Sequence, residues 1–519
     1  MGLVFITRTI FIFSPAGLSG DADEAVFGLM AQKIKALEEF PIYCWEAQYA
    51  GAVVSYMAAI IFYFWGSGFF QLHLTMLPMA LVTSVLFYLI YRKMFNAMEA
   101  LMGVFFLIFC PYFVLRHTMG AYGGYGETCL GIALIILISW RIRDKLTSVN
   151  LPYLSFLLGV VSGFFFYILF LVLPAVIAFA IPEVWRAQKR RGITILSHFV
   201  LGGTIGLSPM IIHSLTTRGG TFLRAAGRSL SIGMESIHIP PVELLVVIFT
   251  AKISYLKTWF ASFPYMLGHF VLPEFVGKRV LEVAGMFLAV VLIGFVFTVF
   301  FKTKSFSDIH ERSRRFAYFL VFLILFQWIA NLNRPRHLLP LLFIIPVALF
   351  SLMQGRPYWK TAVIALMITT FGFQTYGMMQ KMKYSMWDPN PAVRIMEEIG
   401  IKEFYGSYWT TYPILFLSRG ELIGSPYLLP YNETLSDRRP EDSRRVRNSL
   451  KPAFVFSADE TQIKRDFQEY LATHHNKAQS VNGPNATIFY GFSKPVHAVV
   501  ERKWETKFVS IEAKLPSEE

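Results

Sequence analysis

Long apolar runs broken by short polar turns fill the first 380 residues of the chain. Runs of roughly 17–25 apolar residues match helices that cross a hydrocarbon core about 30 Å thick. The candidate spans are 1–13, 69–91, 97–115, 124–140, 153–167, 168–182, 195–213, 283–301, 316–331, 338–354 and 360–380. The first is too short to cross unaided, so either that helix is truncated or the true start lies upstream. No small-residue cleavage site follows a basic start, so it does not read as a signal peptide. The stretch 153–182 has no polar turn and is split at 163–174 into a tight hairpin. Two further apolar stretches, 51–66 and 243–267, read as helices lying on the membrane surface, the second with Lys252 and Lys257 snorkelling to water.

Charge tests this division. With eleven spans and a cytoplasmic N-terminus, the inner loops hold Arg92 and Lys93; Arg141, Arg143 and Lys145; Arg186, Lys189, Arg190 and Arg191; Lys302, Lys304, Arg312, Arg314 and Arg315; and Arg356 and Lys360. Every short loop assigned inside is then basic, as the positive-inside rule requires. Leaving 153–182 as one span would put a basic cluster outside. The outer segments become 14–68, 116–123, 214–282, 331–337 and everything after 380. The first 380 residues carry 29 basic against 16 acidic side chains, and the rest 19 against 18, so the excess of +14 sits almost wholly in the membrane part. Such an excess needs no nucleic-acid partner.

The expected fold is therefore mainly α: a polytopic helical membrane domain at 1–380 and a small soluble α/β domain at 381–519. In that tail, 391–399, 409–418 and 461–474 read as helices, and 403–407, 422–426, 453–457 and 486–492 as strands. Composition agrees. Only 16% of residues are charged, 55% are hydrophobic, and mean hydropathy is +0.48. This excludes a disordered chain and an ordinary cytosolic enzyme. Cys44, Cys110 and Cys129 are too few for a disulfide framework. The sequons at Asn432 and Asn485 read as chance matches.

Three stretches of the outer face carry chemistry. Asp21, Asp23 and Glu24 lie just past the first apolar run and open an amphipathic helix at 24–38. They serve either as helix caps or as a carboxylate that takes a proton from a hydroxyl or holds a cation. Glu127 stands at the mouth of a span behind Tyr122, Tyr125 and three glycines, with Arg116 and His117 just upstream. An acid there is costly unless it faces a wet cavity or a partner. Arg334, Arg336 and His337 stand between two late spans, among Asn331 and Asn333. A guanidinium fork at that depth suits a phosphate. The long outer segment adds Arg218, Arg224, Arg228, Lys278 and Arg279, with His269 and Glu274. Nothing in the tail has the look of a catalytic motif.

These stretches resemble the GT-C superfamily of glycosyltransferases, and within it the bacterial protein-mannosyltransferase-like and lipid A aminoarabinose transferase-like members of family 39. Asp23-Glu24-Ala25-Val26-Phe27-Gly28 resembles the Asp-Glu-Ala-x-Tyr pattern of the first outer loop. Gln48-Tyr49-Ala50-Gly51 resembles a stretch leading into a juxtamembrane helix. Glu127 falls where a second acid is often kept, and Arg336-His337-Leu338-Leu339-Pro340 resembles Arg-Tyr-Leu-Leu-Pro, with His337 for the usual Tyr. Tyr408-Trp409 and the following Tyr412-Pro413 resemble the outer domain of bacterial members.

The resemblance implies a transferase of the inner (cytoplasmic) membrane, its C-terminal domain extracytoplasmic. It would move a sugar with inversion from a polyprenyl-phosphate donor to a hydroxyl of a glycan, lipid or protein. It implies Asp23 as general base, with Asp21 and Glu24 as alternatives or metal ligands. Glu127 would orient the acceptor or share with Asp23 a divalent cation such as Mg or Mn. Arg336, Arg334 and His337 would bind the lipid phosphate, while Gln48, Tyr49, Arg116, His117, Tyr122, Tyr125, His269 and Lys278 would line the donor and acceptor cavity. The competing readings are a secondary transporter or flippase, disfavoured by the lack of an internal repeat, and a non-catalytic scaffold whose tail binds partners.

Overall fold

The structure is a computed structural model that describes residues 1–217, 241–270, 277–301, 308–330, 332, 334–352, 369, 388–427, 437–500 and 506–510. The expected span at 360–380, apart from Thr369, and Asn331, Asn333, Arg218, Arg224, Arg228, Glu274 and the sequon at Asn432 lie outside the described residues. The chain is a multi-pass, mainly helical membrane protein with a small C-terminal sheet domain. It divides into two compact units. The first comprises 1–11, 48–53 and 76–380; the second comprises 12–47, 54–75 and 381–519.

In the first unit, apolar composition sets the helices and breaks in it set their ends. Among the described residues, single helices long and apolar enough to cross are Phe69–Arg92, Tyr125–Asp144, Leu151–Ile168, Phe170–Arg191 and Lys278–Phe301. The first of these begins in the second unit and continues in this one. The hairpin expected within 153–182 breaks at Leu169, whose backbone is extended, and so gives two spans. The runs 97–115 and 195–213 are bent rather than straight. Ala97–Ile108 and Tyr112–Met119 meet at 81°, and Thr194–Gly206 and Ser208–Thr216 at 57°. Pro111 and Pro209 lie at these joints, where proline removes a backbone donor. At the sharper joint, buried Arg8 donates from Nη2 to the Leu107 carbonyl (2.8 Å) and from Nη1 to that of Ile108 (3.1 Å). It thus places a positive charge where the helix presents its negative end.

Small residues let two helices touch. A Cβ at Gly159 would lie 2.1 Å from the Phe199 carbonyl oxygen, and one at Gly202 the same distance from that of Phe156. Gly163 and Gly206 make similar approaches, so Leu151–Ile168 and Thr194–Gly206 pack backbone to backbone, as small-residue faces do in membranes.

Loops expected on one face meet there. Glu311 pairs with Arg143 (2.7 Å) and Arg186 (2.6 Å), and Glu183 pairs with Arg186 (2.7 Å). Asp144 pairs with Lys93 (2.6 Å). Four loops expected to be inner therefore share one ionic cluster, and acids balance part of their positive charge.

The second unit holds a five-stranded mixed sheet in the order Ile423–Tyr427, Glu403–Ser407, Ala453–Ser457, Ala486–Tyr490, Gln479–Asn482. Its first three strands are parallel and the last two pairings antiparallel. Tyr405, Phe454, Phe456, Phe467 and Phe489 fill the core between the sheet and the helix Thr461–Thr473. The helices expected in the tail form as Asn390–Ile399, Tyr408–Leu417 and Thr461–Thr473. Reading the sequence missed the helix Pro440–Arg447, the polar edge strand Gln479–Asn482, and the pair Val496–Val500 and Thr506–Ser510.

The same unit takes in the acidic motif. Helix Ala22–Lys35 packs on Tyr408–Leu417: a Cβ at Gly28 would lie 2.5 Å from the Phe416 ring, and Gln32 Nε2 donates to the Phe416 carbonyl (2.9 Å). Val53–Trp65 and Pro241–Gly268 are the helices expected on the membrane surface, the latter in the first unit.

Candidate functional site

In the second unit the three acids have three different roles. Asp21 is the N-cap of Ala22–Lys35: its Oδ1 accepts from the Glu24 N–H (3.2 Å), and Glu24 Oε2 accepts in return from the Asp21 N–H (3.3 Å). This reciprocal capping satisfies two backbone donors that would otherwise have no partner. Glu24 is 2% exposed, and its Oε1 lies 2.6 Å from His73 Nε2. His73 Nδ1 lies 2.7 Å from the Gly17 carbonyl, which only accepts, so Nδ1 carries a proton. One further proton is shared between Nε2 and the Glu24 carboxyl. Glu24 is thus engaged by both the helix cap and His73, and is almost sealed from solvent.

Asp23 is half-buried. Its Oδ1 accepts a 2.7 Å hydrogen bond from the Tyr408 hydroxyl, 385 residues away. Burial, followed by the Asp23 charge, pushes the Tyr408 phenol far above its usual range, so it stays protonated and stays a donor. The Arg438 guanidinium lies 5.7 Å from the Tyr408 ring centre and donates from Nη1 to the Trp45 carbonyl (3.0 Å).

In the first unit the structure brings together most of the basic and aromatic candidates. The turn at Gly123 and Gly124, both with positive φ (65° and 114°), starts the helix Tyr125–Asp144. At Gly124 a side chain would be strained. Arg116 Nε donates to the Tyr122 hydroxyl (2.6 Å). The His117 ring stacks on Tyr122 (5.1 Å) and meets Tyr125 edge-on (6.0 Å). On the Tyr125 ring also lie Arg336 (5.9 Å) and His337 (6.5 Å). Phe113 links His117 (4.2 Å) to His269 (5.0 Å). Two guanidinium groups over two tyrosines make a cationic, aromatic floor, a chemistry that suits an anion carrying an apolar tail. The Arg334 N–H donates to His337 Nδ1 (3.4 Å). Burial, with Arg336 and Arg334 beside it, lowers His337 to about 3, so its ring is neutral.

Glu127, two residues past Tyr125, is 2% exposed, and its Oε1 has no hydrogen-bond partner among the described residues. Lys278 stands apart from this cluster, exposed and 3.9 Å from Glu282. Tyr49 is 36% exposed, and Arg334 is exposed. Among the described residues no three His, Cys, Asp or Glu side chains stand together as a cation site needs.

Sequence reasoning missed His73, Arg438 and the part played by Tyr408. His73 offered one signal, a histidine inside an apolar run; Tyr408 offered only its place in the Tyr408-Trp409 stretch, and Arg438 none.

No family model and no curated protein matches the chain. Solved structures do. The oligosaccharyltransferase of Archaeoglobus fulgidus, in complex with Zn and sulfate, is 10% identical and aligns over 94% of this chain and 72% of its own, with a TM-score of 0.51. ArnT from Cupriavidus metallidurans bound to undecaprenyl phosphate is 12% identical over 94% of this chain and 96% of its own, with a TM-score of 0.48. By its likeness to the oligosaccharyltransferase, the chain shares the fold of that protein.

Proposed function

We propose that this protein is a membrane glycosyltransferase that moves a sugar from a polyprenyl-phosphate donor to an acceptor hydroxyl, with inversion, on the extracytoplasmic face. The observation that carries the reading is the Arg116–His117–Tyr122–Tyr125–Arg336 cluster at the mouth of the helices. In this reading residues 1–380 form the catalytic membrane domain and 381–519 an extracytoplasmic domain. The chain sits in the inner membrane with its N-terminus inside, which leaves the Arg143–Glu311 cluster on the cytoplasmic side.

Asp23 takes the proton of the acceptor hydroxyl. The hydroxyl oxygen attacks the anomeric carbon from the side opposite the phosphate, and the bond from that carbon to the phosphate oxygen breaks. Arg336, aided by Arg334 and Arg116, balances the charge that grows on the departing phosphate. Neutral His337 donates through Nε2, since Nδ1 accepts from Arg334. Glu127 orients the acceptor, and Tyr49 and His269 complete the walls of the cavity.

The test uses the full chain in lipid nanodiscs with a panel of labelled polyprenyl-phosphate sugars. Asp23→Asn is expected to abolish transfer while the protein stays folded. Arg336→Ala is expected to raise the donor KM more than the acceptor KM. Full activity in Asp23→Asn would remove the base, and sugar-independent solute uptake in vesicles would favour a transporter instead.

A further inference from the structure

We propose that Tyr408, in the C-terminal part of the chain, is a positioning residue for Asp23, so that the tail sets the geometry of the base. The proposal rests on the reading of Asp23 as the base. A carboxylate on the first turn of a helix can rotate about its side-chain bonds, and a base must present one lone pair along the line of the proton it removes. Tyr408 holds Oδ1 at 2.7 Å and so fixes the plane in which Oδ2 lies.

The tyrosine is itself held. It is 7% exposed, its ring packs on Tyr412 (5.0 Å) and lies beneath the Arg438 guanidinium, and its helix Tyr408–Leu417 is capped by Ser407, whose side chain accepts from the Thr410 N–H. Burial and the Asp23 charge keep the phenol protonated, so the donor is permanent. Among the described residues, Asp23 is flanked by the cap Asp21 and by Glu24 of its own helix, meets Tyr408, beside which Arg438 lies, and has near it Cys44, whose thiol burial pushes up to about 12 and which therefore stays neutral. Arg438, with its guanidinium 5.7 Å from the centre of the phenol ring, limits the cost of placing a carboxylate against a buried ring. The helix–helix packing through Gly28 and Phe416 fixes the distance between the two partners.

The experiment uses the full chain in nanodiscs. Tyr408→Phe is expected to lower kcat for transfer by about 10–100-fold with the donor KM within twofold of wild type, the pattern of a lost orientation rather than a lost binding contact. Asp23→Asn/Tyr408→Phe should be no slower than Asp23→Asn alone. A second readout needs no substrate: with 3-fluorotyrosine incorporated, the fluorine resonance that Tyr408→Phe removes should shift in Asp23→Asn, which keeps the tyrosine in place. A Tyr408→Phe enzyme with wild-type kcat beside an inactive Asp23→Asn, or a fluorine resonance that does not move, overturns the positioning role alone. A fully active Asp23→Asn overturns the base and this proposal together.

Discussion

Replacing His73 with Phe tests the hidden pair that sets the acidic motif in place. The ring volume is nearly kept, so packing changes little and the loss is polar. Two contacts go: Nδ1–H to the Gly17 carbonyl at 2.7 Å and Nε2 to Glu24 at 2.6 Å. His73 and Glu24 are 1% and 2% exposed, so water cannot replace them. Breaking a buried pair by removing one partner costs about 3–5 kcal/mol. If the Glu24 carboxyl takes a proton to avoid the charge, its hydroxyl and the Gly17 carbonyl still lose their partners, at about 1–3 kcal/mol each. At roughly 2–4 °C per kcal/mol for a unit of 150–250 residues, His73→Phe should melt about 6–20 °C below wild type. Glu24→Gln is the control: its amide donates to Nε2 and its oxygen accepts from Asp21, so it should cost about 1 kcal/mol or less. The assay is a thermal ramp in detergent, followed by size-exclusion profile and tryptophan fluorescence, on both single variants and the double variant. A His73→Phe protein melting within 2 °C of wild type, or a double variant that behaves as the plain sum, would refute the pair.

Three further outcomes are expected. Gly202→Leu should force apart the helices Leu151–Ile168 and Thr194–Gly206, since even a Cβ there lies 2.1 Å from the Phe156 carbonyl oxygen; a loss of about 1–3 kcal/mol or more should show as reduced monodisperse yield. Gly294→Leu, with nothing within 4 Å of its Cβ, should be tolerated in the same assay. His337 is neutral when folded, with a value near 3 against about 6.5 for the free group, so the unfolded chain binds the proton first as pH falls. The stability it contributes is whole above about pH 6.5 and is lost between 6.5 and 3. Because the ring is partly exposed, only about 1–2 kcal/mol is expected, and His337→Gln should flatten that part of the melting-temperature profile against pH.

The span pattern was legible because crossing a membrane is a local demand. Each helix must satisfy its own backbone and carry its own apolar surface, and both are written in consecutive residues. Ten of the eleven expected spans fall on helices, although Gly2–Phe13 and Leu341–Leu352 are short. Loop charge was legible for a related reason, and the grouping of Arg143, Arg186 and Glu311 follows it. Bends were half legible: Pro111 marks a joint, but its angle of 81° depends on what packs against it, including Arg8. The edge strand Gln479–Asn482 was missed because it is largely exposed and carries no apolar alternation.

The acidic motif marks the limit. In the sequence Asp21, Asp23 and Glu24 are three equivalent carboxyls within four residues, and capping logic accounts only for the first and the reciprocal contact of the third. Their separation into a cap, a half-exposed acid held by Tyr408 and a buried partner of His73 depends on side chains 385 and 49 residues distant. Local sequence fixes which groups are near the end of a helix and what charge they carry. Which of them keeps contact with solvent, and which is sealed against a partner, is decided by the packing of elements far apart in the chain, because burial and hydrogen-bond geometry exist only once those elements have met.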